Sequence, residues 1–218
     1  MSSNHPAPPP ANAFLRWTEQ ERQSSLESAL KDWRAGQDLW IFGYGSLIWR
    51  PEFRFTEQRA ATLHGYHRAL CLWSRINRGT PEIPGLVFGL EQGGSCQGVA
   101  FKVASEDIPQ TFEAVWKREM STGAYLPSWL GCTTPQGEVS GMAFVINPQG
   151  PAYVPEPPED DLVEIILKAH GIYGSCLDYV AQTAIALREA DIYDPRLAKL
   201  AERLALEQRK RQQQQQQA

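Results

Sequence analysis

Apolar and polar residues alternate along the middle of this chain in the manner of short β-strands. Between about 38 and 146, β-prone apolar runs recur between Gly and Pro residues. The runs cover residues 39–42, 59–64, 68–74, 85–90, 98–103, 124–132 and 139–146. Apolar residues at helical spacing, from Ile108 to Trp116, predict that one helix at about 105–120 interrupts them.

A helical pattern precedes this strand-rich region. Thr18 and Glu21 match a capping box, and the predicted helix ends near Gly36. The apolar residues of this helix fall on one face: Leu26, Leu30 and Trp33.

Three more helices are predicted after a proline cluster at 151–158. The first covers about 159–170. The second begins at Ser175, which forms an S-x-x-D cap with Asp178, and the third begins at Asp194-Pro195, a favourable N-cap and N1 pair. Strands first and helices later predict an α+β domain, with closure of the strands into a barrel as one arrangement.

Composition divides the chain into four segments. Residues 1–13 are Pro-rich and polar and are expected to be disordered, whereas 14–37 form an N-terminal helical extension. Residues 38–208 form the main domain. Residues 209–218 form a basic, glutamine-rich tail that we expect to be solvated, although a glutamine run can also prolong a helix.

Charge and cysteine content exclude several classes of protein. With 218 residues and a net charge of −4, the chain has no electrostatic signature of nucleic-acid or anionic-lipid binding. No apolar run reaches the roughly 18 residues that span a bilayer. The cysteines form no CxxC motif and are expected to be reduced core residues. We therefore expect a cytoplasmic protein without nucleic-acid or membrane partners, and its oligomeric state stays open.

The first candidate site is the loop from Gly43 to Ile48, which follows a buried strand. Its two glycines, Gly43 and Gly45, let backbone N–H groups approach a ligand closely, as a carboxylate or a developing oxyanion requires. A tight turn between two buried elements explains the pattern equally well. The loop lacks the lysine of a P-loop, and Ser46 lacks the G-x-S-x-G context of a hydrolase nucleophile.

The second candidate is Glu119, at the end of the helix predicted at 105–120. A carboxylate there opposes the helix dipole, so local helix stability does not explain it. A surface ion pair with Arg118 or Lys117 is the alternative. No metal site is predicted, because His64 and His67 lie in a β region without further ligands at a usual spacing.

These motifs resemble the glutathione-specific branch of the ChaC-like γ-glutamylcyclotransferases. The resemblance rests on the run from Phe42 to Trp49 and on Arg118-Glu119 followed by Gly123-Ala124-Tyr125. Arg78-Gly79-Thr80-Pro81 and the helix containing Tyr179 add support, and the similarity covers roughly 38–205. One departure is the segment 120–124, which is longer than in the animal members.

The resemblance implies a small mixed β-barrel with flanking helices and a helical C-terminal part. It also implies cleavage of glutathione to 5-oxoproline and Cys-Gly without a metal or cofactor. It maps the catalytic acid/base onto Glu119. Separately, helical spacing makes Trp116, three residues earlier on the same face, a candidate for an apolar wall beside that carboxyl. The resemblance maps the substrate-binding loop onto Gly43, Tyr44, Gly45, Ser46, Leu47 and Ile48, and the further candidate substrate-binding residues are Arg78, Tyr125 and Tyr179.

Two kinds of role are assigned as candidates within this expectation. The tyrosines are candidate hydroxyl donors around the glutamyl group, and Arg78 is a candidate partner for the glycine carboxylate, with Arg68 and Arg75 as competitors. Two alternative functions are also open. One is a cyclotransferase for other γ-glutamyl amino acids or amines, and the other is a non-catalytic γ-glutamyl-binding regulator.

Overall fold

The computed structural model describes Pro10 and residues 16–217, and five of its strands close into a barrel. The barrel strands are β1 (Leu39–Gly43), β2 (Glu57–Ser74), β3 (Gly85–Val103), β4 (Tyr125–Thr134) and β5 (Gly137–Ile146). The helices are α1 (Glu19–Leu30), α2 (Ser46–Trp49), α3 (Ile108–Glu119), α4 (Glu159–Lys168), α5 (Cys176–Glu189) and α6 (Pro195–Gln216). A 3₁₀ turn (Ser105–Asp107) precedes α3, and a short hairpin of β6 (His170–Gly171) and β7 (Gly174–Ser175) precedes α5.

The barrel has the mixed topology that the resemblance implied. The strand order is β1–β3–β2–β4–β5, with antiparallel pairing at each of these contacts. Parallel pairing of β1 with β5, at Trp40↔Gly141 and Ile41↔Met142, closes the barrel. The prediction of an α+β fold with a small mixed barrel is therefore confirmed.

The number of strands predicted from the apolar runs was wrong. The runs at 59–64 and 68–74 belong to the single strand β2, and those at 85–90 and 98–103 belong to β3. Pairing continues through a bulge between His64 and Tyr66, where Gly65 has φ of 85°. A bulge absorbs an extra residue without ending a strand, so the polar, glycine-rich interruptions did not mark strand ends.

Two groups of helices cover the barrel on different sides. Ile108, Phe112 and Trp116 of α3 are fully or almost fully buried and pack in one cluster with Ile41 and Phe144 of the barrel. The C-terminal helices belong to a second cluster with the remaining barrel core, to which they contribute Leu162, Ile166, Val180, Leu187 and Leu204. Each such side chain stabilises the fold by roughly 1.5–3 kcal/mol through burial.

The predicted helix starts are confirmed. The side chain of Thr18 accepts from the Glu21 N–H at 3.2 Å, and Glu21 accepts from the Thr18 N–H at 2.7 Å. Ser175 and Asp194 cap α5 and α6 in the same way, through the N–H groups of Asp178 and Leu197. The first helix ends at Leu30, earlier than the expected end near Gly36.

The N-terminal extension packs beside the end of α3. The Trp17 N–H donates to the Ser121 oxygen at 3.0 Å, and Arg16 forms a β-bridge with Thr122. The indole N–H of Trp116 lies 3.2 Å from Oγ of Ser25 in α1. The extension is thus attached to the chain on both sides of Glu119.

The glutamine-rich segment is exposed where it is described, and it prolongs a helix, as the alternative expectation allowed. Helix α6 continues to Gln216, and Arg211 forms an ion pair with Glu164 of α4. Glutamine is a good helix former, so the run extends an existing helix. The predicted disordered tail at 1–13 lies outside the described residues except for Pro10, which is exposed.

Candidate active site

The loop from Gly43 to Ile48 leaves the buried end of β1 and enters the short helix α2. Gly43 is held closely: a Cβ there would lie 3.2 Å from the Phe101 ring and 3.3 Å from Cβ of Leu47. A Cβ on Gly45 would lie 3.0 Å from the hydroxyl oxygen of Tyr179. The absence of a side chain at Gly45 therefore lets the backbone lie directly against Tyr179.

Glu119 is the last residue of α3, and it enters the interior because the helix is amphipathic. Phe112, Val115 and Trp116 are buried on the same helix, whereas Lys117 is largely exposed. Its backbone continues into Met120, whose N–H donates to the Trp116 oxygen at 2.9 Å.

The loop and Glu119 line one pocket. Its residues are Tyr44, Gly45, Ser46, Leu47, Phe88, Glu119, Tyr125, Phe144 and Tyr179. Seven of the ten residues proposed for the site are therefore brought together from separate parts of the chain. Gly43, Ile48 and Arg78 do not line this pocket.

Glu119 is a largely buried acid rather than a surface residue. Its side chain is 14% exposed, and its Oε1 lies 2.9 Å from Nε of Arg118. Burial raises the pKa of Glu119 above the ordinary value of 4.5, while the adjacent guanidinium of Arg118 acts in the opposite direction. The alternative expectation was a surface ion pair with Arg118. The ion pair forms, but Glu119 lies at the pocket rather than on the open surface.

Arg118 connects Glu119 to the loop. Its Nη2 donates to Oγ of Ser46 at 2.8 Å, and Nη1 donates to Oε2 of Glu52 at 3.0 Å and to the backbone oxygen of Arg50. The guanidinium therefore fixes the carboxylate and the loop in one network. From the sequence, Arg118 was part of the family motif and a possible surface partner of Glu119. Its contact with the loop was not predicted, because nothing local indicates which strand or loop a helix end meets.

Three tyrosines of the pocket are held by main-chain groups of the barrel. Tyr44 donates to the Phe144 oxygen at 2.6 Å, and Tyr125 lies 3.4 Å from the Phe88 oxygen. The hydroxyl of Tyr179 instead accepts from the Phe88 N–H at 3.1 Å, so its own proton is available to another acceptor. Burial raises the pKa of all three phenols, which keeps them protonated donors.

Two apolar walls of the pocket were not singled out from the sequence. Phe88 and Phe144 lie within strand runs, and only barrel closure shows which residues of a strand face the pocket. The indole of Trp116 does not line the pocket but packs edge-on against Phe144, with ring centres 5.4 Å apart. Trp116 therefore supports the wall from behind.

Arg78 lies outside the lining of this pocket, beside Trp49 and Tyr179. Its guanidinium lies over the rings of Trp49 and Tyr179, at 5.6 and 5.5 Å, and Nη1 donates to the Ser175 oxygen at 3.2 Å. The residue is 6% exposed. Its proposed contact with a glycine carboxylate gains no support from this placement, which instead fixes the Tyr179 ring.

Comparison with known proteins agrees with this architecture. A family model described as ChaC-like protein matches residues 39–207, which contain the loop, Glu119 and the tyrosines. The chain belongs to the ChaC-like family. The match begins after the N-terminal extension, so α1 lies outside the part of this ChaC-like chain that defines the family.

Curated relatives of this ChaC-like chain come from bacteria and animals. The glutathione-specific γ-glutamylcyclotransferase of Escherichia coli K12 is 37% identical over 167 residues, covering 76% of this chain and 72% of that protein. The glutathione-specific γ-glutamylcyclotransferase 1 of Rattus norvegicus is 33% identical over 168 residues, covering 74% and 76%.

A solved structure supports the fold independently. The crystal structure of a yeast γ-glutamyl cyclotransferase specific to glutathione superimposes with a TM-score of 0.71, over 77% of this ChaC-like chain and 96% of that one. At 21% identity, this likeness bears on the fold alone.

Two further findings concern membrane-spanning helices and metal-binding clusters. Within 16–217, no helix is both long and apolar enough to cross a bilayer. Over the same range, His, Cys, Asp and Glu side chains form no group of three suited to an ion. All four cysteines are free and buried, as expected for reduced core residues.

Proposed function

We propose that this chain is a glutathione-specific γ-glutamylcyclotransferase that releases 5-oxoproline and Cys-Gly. The observation that carries the proposal is Glu119, a buried acid with a raised pKa in the same pocket as the Gly45 loop. The similarity to enzymes of that name in bacteria and animals supports the choice of substrate. We place the protein in the cytoplasm, where free cysteines stay reduced.

The reaction needs little machinery, because the nucleophile belongs to the substrate. In a γ-glutamyl amide, the α-amine can attack the γ-carbonyl carbon and close a five-membered ring. A well-oriented attack of this kind has effective molarities of the order of 10⁵ M or more. The enzyme must hold the substrate folded and move protons, since an α-ammonium with a pKa of about 8 is mostly protonated at neutral pH.

Glu119 is proposed to relay the protons. Its carboxylate takes a proton from the ammonium, the free amine attacks, and the ring N–C bond forms. The C–N bond of the original amide then breaks as Glu119 delivers the proton to the leaving nitrogen. Two protons pass from the attacking to the leaving nitrogen over the whole reaction, so Glu119 ends ionised as it began. A carboxyl with a raised pKa suits both directions of transfer.

Tyr179 and the Gly45 loop are proposed to stabilise the reacting carbonyl. The tetrahedral intermediate carries negative charge on the former carbonyl oxygen, and pre-positioned donors stabilise it without reorganisation. Tyr179 retains a proton to donate because its oxygen already accepts from the Phe88 N–H. The hydroxyl lies against Gly45, so a side-chain donor and a backbone donor are neighbours at one point of the pocket.

The decisive experiment is one incubation of the purified full chain with reduced glutathione, monitored for 5-oxoproline and Cys-Gly. We expect both products in equal amounts. Faster turnover of γ-glutamyl-alanine would favour the cyclotransferase for other γ-glutamyl amino acids. Binding of glutathione without any 5-oxoproline would instead favour a non-catalytic regulator and refute the proposed reaction.

A further inference from the structure

Arg68 of β2 is buried outside the pocket and yet contacts its loop. Its side chain is 4% exposed, and Nε donates to the backbone oxygen of Tyr44 at 2.6 Å. The other two nitrogens donate to the backbone oxygen of Gln97 in β3 and to Oδ2 of Asp194. One guanidinium thus joins the loop, the barrel and the start of α6.

The contact with Tyr44 also determines the direction of the next N–H. The Tyr44 oxygen and the Gly45 N–H belong to one peptide, which is planar and trans, so the two groups point in opposite directions. Arg68 does not line the pocket, whereas Gly45 does. By holding the oxygen, Arg68 orients the Gly45 N–H away from itself.

Asp194 provides the counter-charge that a buried guanidinium requires. Its two carboxylate oxygens have different partners: Oδ2 pairs with Arg68, and Oδ1 accepts from the Leu197 N–H at 2.9 Å to cap α6. The pair lines a cavity of about 300 Å³ between β2 and α6. Phe88 lines both this cavity and the pocket, so the ion pair lies directly behind a pocket wall.

We infer that Arg68, held by Asp194, is a positioning residue that aims the Gly45 N–H at the oxygen of the reacting carbonyl. This inference rests on the proposed function. Because the negative oxygen exists only during the reaction, loss of this orientation lowers kcat and leaves the KM for glutathione almost unchanged.

Two substitutions separate this role from a purely structural one. Asp194→Asn removes the charge but keeps an N-cap of similar quality on α6. Arg68→Lys keeps the positive charge but loses the planar guanidinium, whose three nitrogens donate to three acceptors at once. The matched control is Arg196→Gln. Arg196 lines the same cavity, is 64% exposed and pairs with Glu156 without contacting the loop.

We expect kcat to fall at least about tenfold in both test variants. This loss should be smaller than the loss of about 10²–10³-fold that follows deletion of a complete oxyanion donor. KM should stay within about threefold of the wild-type value, and Arg196→Gln should behave as wild type. Circular dichroism establishes that each variant is folded at the assay temperature. If Arg68→Lys does not fold, Asp194→Asn decides alone.

Three results would overturn the inference: an unchanged kcat in folded Asp194→Asn, an effect confined to KM, or an equal loss in Arg196→Gln. If wild-type protein does not cleave glutathione at all, the proposed function fails, and the orientation is tested without activity. In that case the ¹⁵N–¹H signal of Gly45 should shift in Asp194→Asn and not in Arg196→Gln. An unshifted Gly45 signal would refute the positioning role.

Discussion

Nε of Arg118 lies 2.9 Å from Oε1 of Glu119, its neighbour in the chain. The same guanidinium donates to Ser46 of the loop, so the acid and the proposed substrate-binding segment share one cation. Arg118 lowers the pKa of Glu119 while burial raises it, and burial prevails. The pKa of the proposed acid/base therefore depends on two opposing effects, burial and the charge of Arg118, and a single substitution can change it.

Glu119→Gln should abolish most turnover without unfolding the protein. The amide cannot accept the ammonium proton, so kcat should fall at least about 10²-fold, the low end of general-base contributions. Binding of glutathione, measured by calorimetry, should persist. Glu113→Gln is the matched control, because Glu113 lies on the same helix and is 58% exposed in a pair with Lys117. Near-normal turnover of Glu119→Gln would remove Glu119 from the mechanism.

The pH profile of kcat/KM should have an acid limb set by Glu119. The base must be ionised, so activity falls as the pH drops through a pKa that burial raises above 4.5. Replacing Arg118 by Gln removes the cation that lowers this pKa, so the limb should move to higher pH. Lys117→Gln, on the neighbouring exposed residue, should leave the limb in place. A limb that moves to lower pH in Arg118→Gln would contradict this assignment.

Gly45→Ala should destabilise the protein through crowding against Tyr179. The added Cβ would lie 3.0 Å from the phenolic oxygen, at the end of a buried ring that cannot easily move. In the Tyr179→Phe background that oxygen is gone, so the same change should cost less. A double-mutant cycle in urea should give a coupling of about 1 kcal/mol in the free energy of unfolding.

Gly131→Ala controls for a methyl group added to a barrel strand, since nothing lies within 4 Å of a Cβ there. Strict additivity of the Gly45 and Tyr179 substitutions would show that the two residues are not in contact.

Glu119 should lower stability as the pH rises. Its pKa is raised in the folded state above 4.5, so the folded protein binds the proton more tightly than the unfolded chain. That contribution to stability is complete below about 4.5 and is lost as the pH rises through the raised pKa. The Tm of Glu119→Gln relative to wild type should therefore be higher at pH 7 than at pH 4.

Glu113→Gln should show the reverse trend, because the hydrogen bond from Lys117 lowers the pKa of Glu113. Its contribution is present above about 4.5 and is lost on acidification. This trend should be small, because the Glu113–Lys117 pair is exposed. If the Tm of Glu119→Gln relative to wild type does not rise between pH 4 and pH 7, the raised pKa of Glu119 is refuted.

Treatment with EDTA should not change the rate of glutathione cleavage. The proposed mechanism uses a carboxylate, a phenol and backbone N–H groups, and none of its steps needs a metal ion. Rates before and after chelation and desalting provide the measurement. A loss of activity that added Zn²⁺ or Mg²⁺ restores would require a different mechanism.

Helix starts could be predicted from sequence because their signals are local. Thr18, Ser175 and Asp194 each bond to an N–H three residues later, so a short segment contains both partners. Glu119 became a candidate by the opposite reasoning, as a residue that its own helix does not explain, and its assignment as the acid/base came from the family resemblance.

The rest of the site depends on contacts between distant parts of the chain. Phe88 meets Tyr179 across 91 positions, and Arg68 meets Asp194 across 126. No periodicity in either segment indicates these partners. Arg68 was considered only as a competitor of Arg78 for a carboxylate, and its burial behind the loop became visible only with the barrel closed.

The parallel pairing of β1 with β5 affects how this protein becomes active. Ile41 pairs with Met142, and the loop that carries Gly45 starts two residues after Ile41. During translation, β1 can pair with β3 before β5 emerges, but the barrel closes only when β5 pairs with β1, and such long-range pairing is slow to form. Ribosome-bound or truncated chains that end before β5 therefore hold most of the sequence motifs but no working catalyst.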